Sequence, residues 1–121
     1  MKYLLMIYQD EKARAAETEA QRGQITGEYM QFMKEVQASG HIKGGDALKP
    51  STTATCVRVE NGKRMVTDGP YAETREQLGG YFLIEAKDLD EAIGIAARIP
   101  GARMGTIEVR PIAQMPAVAN A

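Results

Sequence analysis

Between Lys2 and Tyr8 the chain carries bulk on both sides of an extended backbone. Tyr3, Leu5 and Ile7 point one way, and Leu4, Met6 and Tyr8 the other. A strand that is apolar on both faces belongs in a sheet covered on both sides. The period then changes. Residues 10–20 are polar and alanine-rich and read as a loop or the frayed start of a helix. From about 19 to 39, Ile25, Tyr29, Phe32, Met33 and Val36 recur at helical spacing and predict an amphipathic helix. Gly23 and Gly27 sit inside that stripe and cost roughly 1 kcal/mol each relative to alanine, so the first turns are expected to be irregular. Ser39-Gly40 supplies the stop.

The segment 41–53, with Gly44-Gly45 and Lys49-Pro50-Ser51, reads as a loop. Thr55–Glu60 and Lys63–Thr67 flank Asn61-Gly62, a strong two-residue hairpin signal. A charged connection, Asp68–Leu78, leads to a strand over Gly80–Ala86 that is again apolar on both faces. Asp88 at the N-cap with Glu91 three residues on is a variant of the capping box and opens a second helix. Its expected buried stripe is Leu89, Ile93, Ala96 and Ala97, and Arg98-Ile99-Pro100-Gly101 ends it. Residues 105–110 alternate, with Ile107 and Val109 inward. The order β-α-β-β-β-α-β predicts an α+β, ferredoxin-like sandwich: a mainly antiparallel sheet with both helices on one face. One domain over residues 1–112 and a flexible tail over 113–121 are expected. Two helices cover one sheet face only. The apolar residues on the other face of strands 2–8 and 80–86 predict a homodimer packed through the sheet.

Composition narrows the function classes. The chain has 121 residues, enough for one core without covalent staples. Its 15 basic and 16 acidic residues nearly cancel, which leaves no electrostatic footprint for direct nucleic-acid binding and no polybasic membrane surface. The one cysteine, Cys56, has no partner for an internal disulfide, which suits a reducing compartment. The apolar run at the N-terminus is too short for a secretory signal and no stretch reaches the ~20 residues needed to span a bilayer, so a cytoplasmic protein is expected. One histidine and one cysteine give neither metal-ligand spacing nor a Cys–His catalytic pair, and no metal or cofactor is expected.

Residues 68–84, DGPYAETREQLGGYFLI, closely resemble the signature of the YCII-related family, specifically its DGPF-domain branch, with Tyr71 where that branch usually has Phe. The similarity extends to Lys2-Tyr3-Leu4-Leu5, Gly44-Gly45, Val66-Thr67, Asp88–Ala92 and Val109-Arg110-Pro111. The resemblance implies a dimeric α+β barrel. It also implies two kinds of function: small-molecule chemistry, or a role in transcription initiation with an extracytoplasmic-function sigma factor. The wider family carries a His and an Asp in its presumed pocket. The corresponding positions here are Tyr29 and Ile99, so that acid–base pair does not carry over.

The remaining candidates for chemistry lie in and near the central motif. In Asp68-Gly69-Pro70, Asp accepts local backbone hydrogen bonds, Gly supplies unusual dihedrals and Pro fixes the next one, which is a turn by itself. The functional alternative is an Asp68 held rigidly at a pocket mouth as base or acceptor. Paired with Glu73 across the turn it would be a catalytic candidate, with Arg75 clamping an anionic ligand. Solvated salt bridging is the simpler fate of Glu73, Arg75 and Glu76. Gly79-Gly80 marks a bulge or a close backbone approach rather than a phosphate cradle. Tyr29 fits the helix stripe as a core residue, or presents its phenol to a ligand, and Asp46 is placed to reach a pocket. Tyr29, Asp46, Asp68, Gly69, Pro70, Glu73 and Arg75 are therefore the expected ligand-binding set of a small-molecule-binding dimer.

Overall fold

The computed structural model describes residues 1–114, and most of the expected tail lies outside them. Six strands and three helices follow in the order β1 (Lys2–Gln9), α1 (Glu11–Ala15), α2 (Glu19–Ala38), β2 (Ile42–Ala47), β3 (Thr55–Glu60), β4 (Lys63–Asp68), β5 (Gln77–Glu85), α3 (Leu89–Arg98) and β6 (Thr106–Pro111). Short 3-10 turns occupy Ser51–Thr53 and Pro100–Arg103.

Strands β2, β5, β1 and β6 form one sheet in that order, every neighbouring pair antiparallel. With the β3–β4 hairpin set aside, the chain runs β-α-β-β-α-β, the ferredoxin-like arrangement. Two expectations change. The segment 41–53 is no plain loop, because Ile42–Ala47 forms the outer strand beside β5. The hairpin stays out of this sheet and pairs only with itself, in the register Thr55↔Asp68 to Glu60↔Lys63. Asn61 (φ 50°) and Gly62 (φ 75°) make its turn, as the dipeptide requires.

β1 is central, and its alternation decides the layers. Tyr3, Leu5 and Ile7 are buried and oppose Ile84, Phe82 and Gly80 on β5. On the other side Leu5 and Ile7 oppose Val109 and Ile107 of β6, the inward pair expected there. Phe32 and Val36 of α2 close over this face, with the Phe32 and Phe82 rings 5.4 Å apart and tilted by 55°. Leu5, Val36, Ile84 and Ile99 are wholly covered. Each such side chain stabilises the fold by about 1.5–3 kcal/mol relative to exposure.

Capping fixes where the helices start. Asp10 accepts from Lys12 N at 3.0 Å and Ala13 N at 3.3 Å, which decides between the loop and the helix start expected over 10–20 by making a separate short helix, α1. Thr18 and Gln21 form a reciprocal capping box for α2, and that helix runs unbroken through Gly23 and Gly27. Asp88 caps α3 through Glu91 N at 2.9 Å, while the Glu91 carboxylate accepts from Lys87 N and lies 3.1 Å from His41 Nε2. The buried stripe of α3 is Ala92, Ile95 and Ala96, followed by Ile99; Leu89 and Ile93 are 47% and 49% exposed. The helix is thus rotated relative to the expected stripe, of which only Ala96 is buried.

The opposite sheet face carries Leu4, Met6, Tyr8, Tyr81 and Leu83, all half-buried, and no helix among the described residues covers it. No helix among the described residues is long and apolar enough to cross a membrane.

Candidate functional site

A cleft of about 930 Å³ opens between α2 and the sheet, closed at one end by α1. Its size lies within the usual range for small-molecule sites. Ile7, Ile25, Met33, Ala47, Leu48 and Phe82 make its apolar walls. The glycines of β2 and β5 make part of its floor, where they permit close backbone approach. A Cβ on Gly45 would lie 2.7 Å from the Phe82 ring and from Tyr81 O, and one on Gly80 would lie 2.9 Å from Asp46 O. Between Ile7 and Tyr8 the β1–β5 register slips so that Gly79 is the extra residue, the bulge that Gly79-Gly80 predicts.

The rim is tied by Glu11. Its N–H donates to Gln77 Oε1 at 2.9 Å, and its carboxylate accepts from Ser51 N and Ser51 Oγ, both at 2.7 Å. One residue of α1 therefore holds the start of β5 and the turn after β2 together. Both Glu11 oxygens are engaged, so its role is structural.

The polar end of the cleft lies at Gln9, Arg14 and Tyr29. Gln9 continues the inward series Tyr3, Leu5, Ile7, which carries an amide into the base of the cleft. Its Oε1 accepts from Arg14 Nη1 at 2.7 Å, and Arg14 Nε lies 2.9 Å from Glu17 Oε1. Gln9 Nε2 is sealed from solvent without a hydrogen-bond partner. Burial pushes the Tyr29 phenol above its ordinary range; the Gly101 N–H, Arg14, the Gln9 amide and Arg103 offset only part of that effect. Arg103 is itself ion-paired to Glu28. Gly101 has no room for a side chain, since a Cβ there would stand 2.5 Å from Gln9 Nε2 and 2.8 Å from the Tyr29 oxygen.

Of the residues that the sequence singles out, Tyr29 and Asp46 border this cleft. Asp46 does so through its backbone, because its register opposite Tyr81 sends the carboxylate to the far face of the sheet. There it accepts from Tyr81 Oη at 2.7 Å, and that hydrogen bond, reinforced by the carboxylate charge, raises the Tyr81 pKa. Asp68, Gly69, Pro70, Glu73 and Arg75 are not among the cleft-lining residues of the protomer. Asp68 ends β4 as an exposed residue. Gly69, at φ 103°, donates its N–H to Ala54 O at 2.7 Å and receives the Cys56 thiol at 3.3 Å. Tyr71 is 82% exposed beneath Arg58, whose guanidinium is 5.9 Å from the ring centre. Among the described residues Asp68, Glu73 and Arg75 make no ion pair, whereas Glu76 accepts from Thr106 Oγ1 at 2.8 Å.

Gln9, Glu11, Arg14 and Gly101 do not stand out in the sequence as site residues. Only Gln9 left a signal there, as a polar residue in step with three buried apolar ones. No group of three His, Cys, Asp or Glu among the described residues is placed to hold a metal ion.

The model of the YCII-related domain matches residues 1–116. An uncharacterized protein of Rhizobium meliloti (strain 1021) is 33% identical over 115 residues, a stretch spanning 93% of each chain. Given a ferredoxin-like sheet with a glycine-floored cleft under α2 and matches of this length, the chain belongs to the YCII-related family.

Proposed function

We propose that this chain is a homodimeric binding protein for a small, mostly apolar molecule, held in the cleft between α2 and the sheet. The cleft itself carries the reading: about 930 Å³, with walls that include aliphatic and aromatic side chains, and with Gln9, Arg14 and Tyr29 meeting at one place on them. A cavity of that kind gains affinity from apolar burial and orientation from a few fixed hydrogen bonds.

The dimer is supported by two uncovered surfaces. One is the sheet face of Leu4, Met6 and Leu83. The other is the hairpin, where Val57, Val59, Met65 and Val66 are 48–70% exposed. Surfaces of this composition rarely stay open on a soluble chain. Packing of two sheet faces would cover the first and bring each hairpin towards the other protomer, together with the motif at Asp68-Gly69-Pro70.

The amphiphilic dye anilinonaphthalene sulfonate tests the cleft. Its fluorescence is expected to rise saturably with the wild-type protein, and Ile25→Trp, which fills the cleft, to abolish the rise. Undiminished dye binding by a folded Ile25→Trp variant would move the site elsewhere. Sedimentation equilibrium tests the dimer, with Met6→Lys on the open face expected to give monomers. A wild-type monomer at tens of micromolar would remove the dimer and leave the cleft standing.

A further inference from the structure

The inner end of the cleft defines the chemistry of what it takes. Glu17 holds Arg14, and Arg14 donates to Gln9 Oε1 at 2.7 Å. With its oxygen held there, the Gln9 carboxamide turns Nε2 towards Gly101 and Tyr29, both within reach of the same missing Cβ. Burial dominates at the Tyr29 oxygen, and the groups that offset it are donors or cations: Gly101, Arg14, Gln9 and Arg103.

A phenol offers one proton and accepts through its lone pairs. The unpartnered Gln9 Nε2 and the phenol both border the space a Gly101 side chain would fill, and both have protons to give to an acceptor. Of the carboxylates around the cleft, Glu11 accepts from Ser51, Glu28 pairs with Arg103 and Asp46 accepts from Tyr81 across the sheet, while Glu17 lies beside Arg14 with its Oε1 outside any hydrogen bond. None of these contacts involves the Tyr29 hydroxyl, which leaves its proton for an acceptor on the ligand.

We infer that the cleft selects a molecule with an apolar body and a terminal oxygen acceptor, a carboxylate or a carbonyl, to which the Tyr29 hydroxyl donates while Gln9 and Arg14 act as positioning residues. The inference rests on the cleft being the binding site. Burial favours the neutral phenol, which keeps that proton in place at physiological pH.

Three probes with the same chain length separate the possibilities by calorimetry: octanoate (anionic acceptor), 2-octanone (neutral acceptor) and octylammonium (donor only). The two acceptors are expected to bind, and octylammonium to bind at least about tenfold more weakly, as befits a lost charge-assisted hydrogen bond. Tyr29→Phe is expected to weaken the acceptors by about fivefold and to leave octylammonium unchanged. Gln9→Leu should lower acceptor affinity by less. Octanoate binding more tightly than 2-octanone assigns a carboxylate ligand, and equal binding assigns a carbonyl.

Tyrosine labelled with carbon-13 gives a second readout in the intact wild-type protein. The Tyr29 resonance, identified by its absence in Tyr29→Phe, should shift with octanoate and stay put with octylammonium. Equal affinity for all three probes, with Ile25→Trp still abolishing binding, would overturn the acceptor assignment and keep the cleft. No heat and no Tyr29 shift with any probe would overturn both.

Discussion

The four-stranded sheet and the β3–β4 hairpin are both antiparallel and energetically unlike. Along β1 burial alternates with the pleat, and Tyr3, Leu5 and Ile7 disappear beneath the helices. Along β4 every residue is exposed, and along β3 only Cys56 is partly covered. The sheet supplies the core and the cleft, whereas the hairpin adds almost nothing to either. Yet the most distinctive stretch of the sequence starts at the end of that hairpin. What singles out the Asp68-Gly69-Pro70 stretch is therefore not the packing of the chain's core.

The largest expected effects lie on the sheet side. Leu5→Ala or Ile84→Ala empties a fully covered site and should cost about 2–5 kcal/mol in urea unfolding. A neutral result at either position would deny that the core lies where β1 and β5 place it. Gly101→Ala pushes a methyl group into Gln9 Nε2 and the Tyr29 oxygen, and should cost about 1–3 kcal/mol with impaired probe binding. Asp88→Ala removes the cap of α3 and should cost about 1 kcal/mol.

Alkaline titration sharpens the contrast further. The Tyr29 pKa is raised in the folded state above its unfolded value near 10. The unfolded chain loses the proton first, so the stability from Tyr29 is complete below about pH 10 and is lost as pH rises through the folded pKa. Melting temperatures followed from pH 9 upward should fall less steeply in Tyr29→Phe than in the wild type. Equal slopes would mean that burial does not govern this phenol.

The smallest effects belong to the hairpin. Val59→Thr and Asp68→Ala should change protomer stability by no more than about 0.5 kcal/mol. A loss above about 1 kcal/mol that grows on dilution would break the contrast, because it would show the hairpin buried in an assembly.

Much of this contrast was legible beforehand. Short runs apolar on both faces located β1 and β5, period-two alternation located β6, helical spacing located α2, and Asn61-Gly62 located the hairpin. β2 escaped because Gly44-Gly45 carries no side chains to alternate, although Gly45 is needed where Phe82 approaches. The face of α3 was only partly judged: Ala96 is buried as expected, but Leu89 and Ile93 drew attention by size while the buried side is completed by Ala92 and Ile95. The site was less visible than the fold. Tyr29 fitted the helix stripe either way, and the charged motif drew attention from Gln9, whose meaning depends on Arg14, Gly101 and Tyr29 meeting in space.

The central position of β1 has a bearing on how the chain comes off the ribosome. Its partners are almost a whole chain length away, with Lys2 opposite Glu85 and Tyr3 opposite Pro111. At synthesis rates of ~5–20 residues per second, the first strand waits on the order of ten seconds for its second neighbour. During that interval α2 and the hairpin can form locally, while Tyr3, Leu4, Leu5, Met6 and Ile7 remain an unpaired apolar segment. Such a segment is a natural binding site for a holdase chaperone. Long-range pairing of this kind should also make refolding in vitro slow relative to helical proteins of this size.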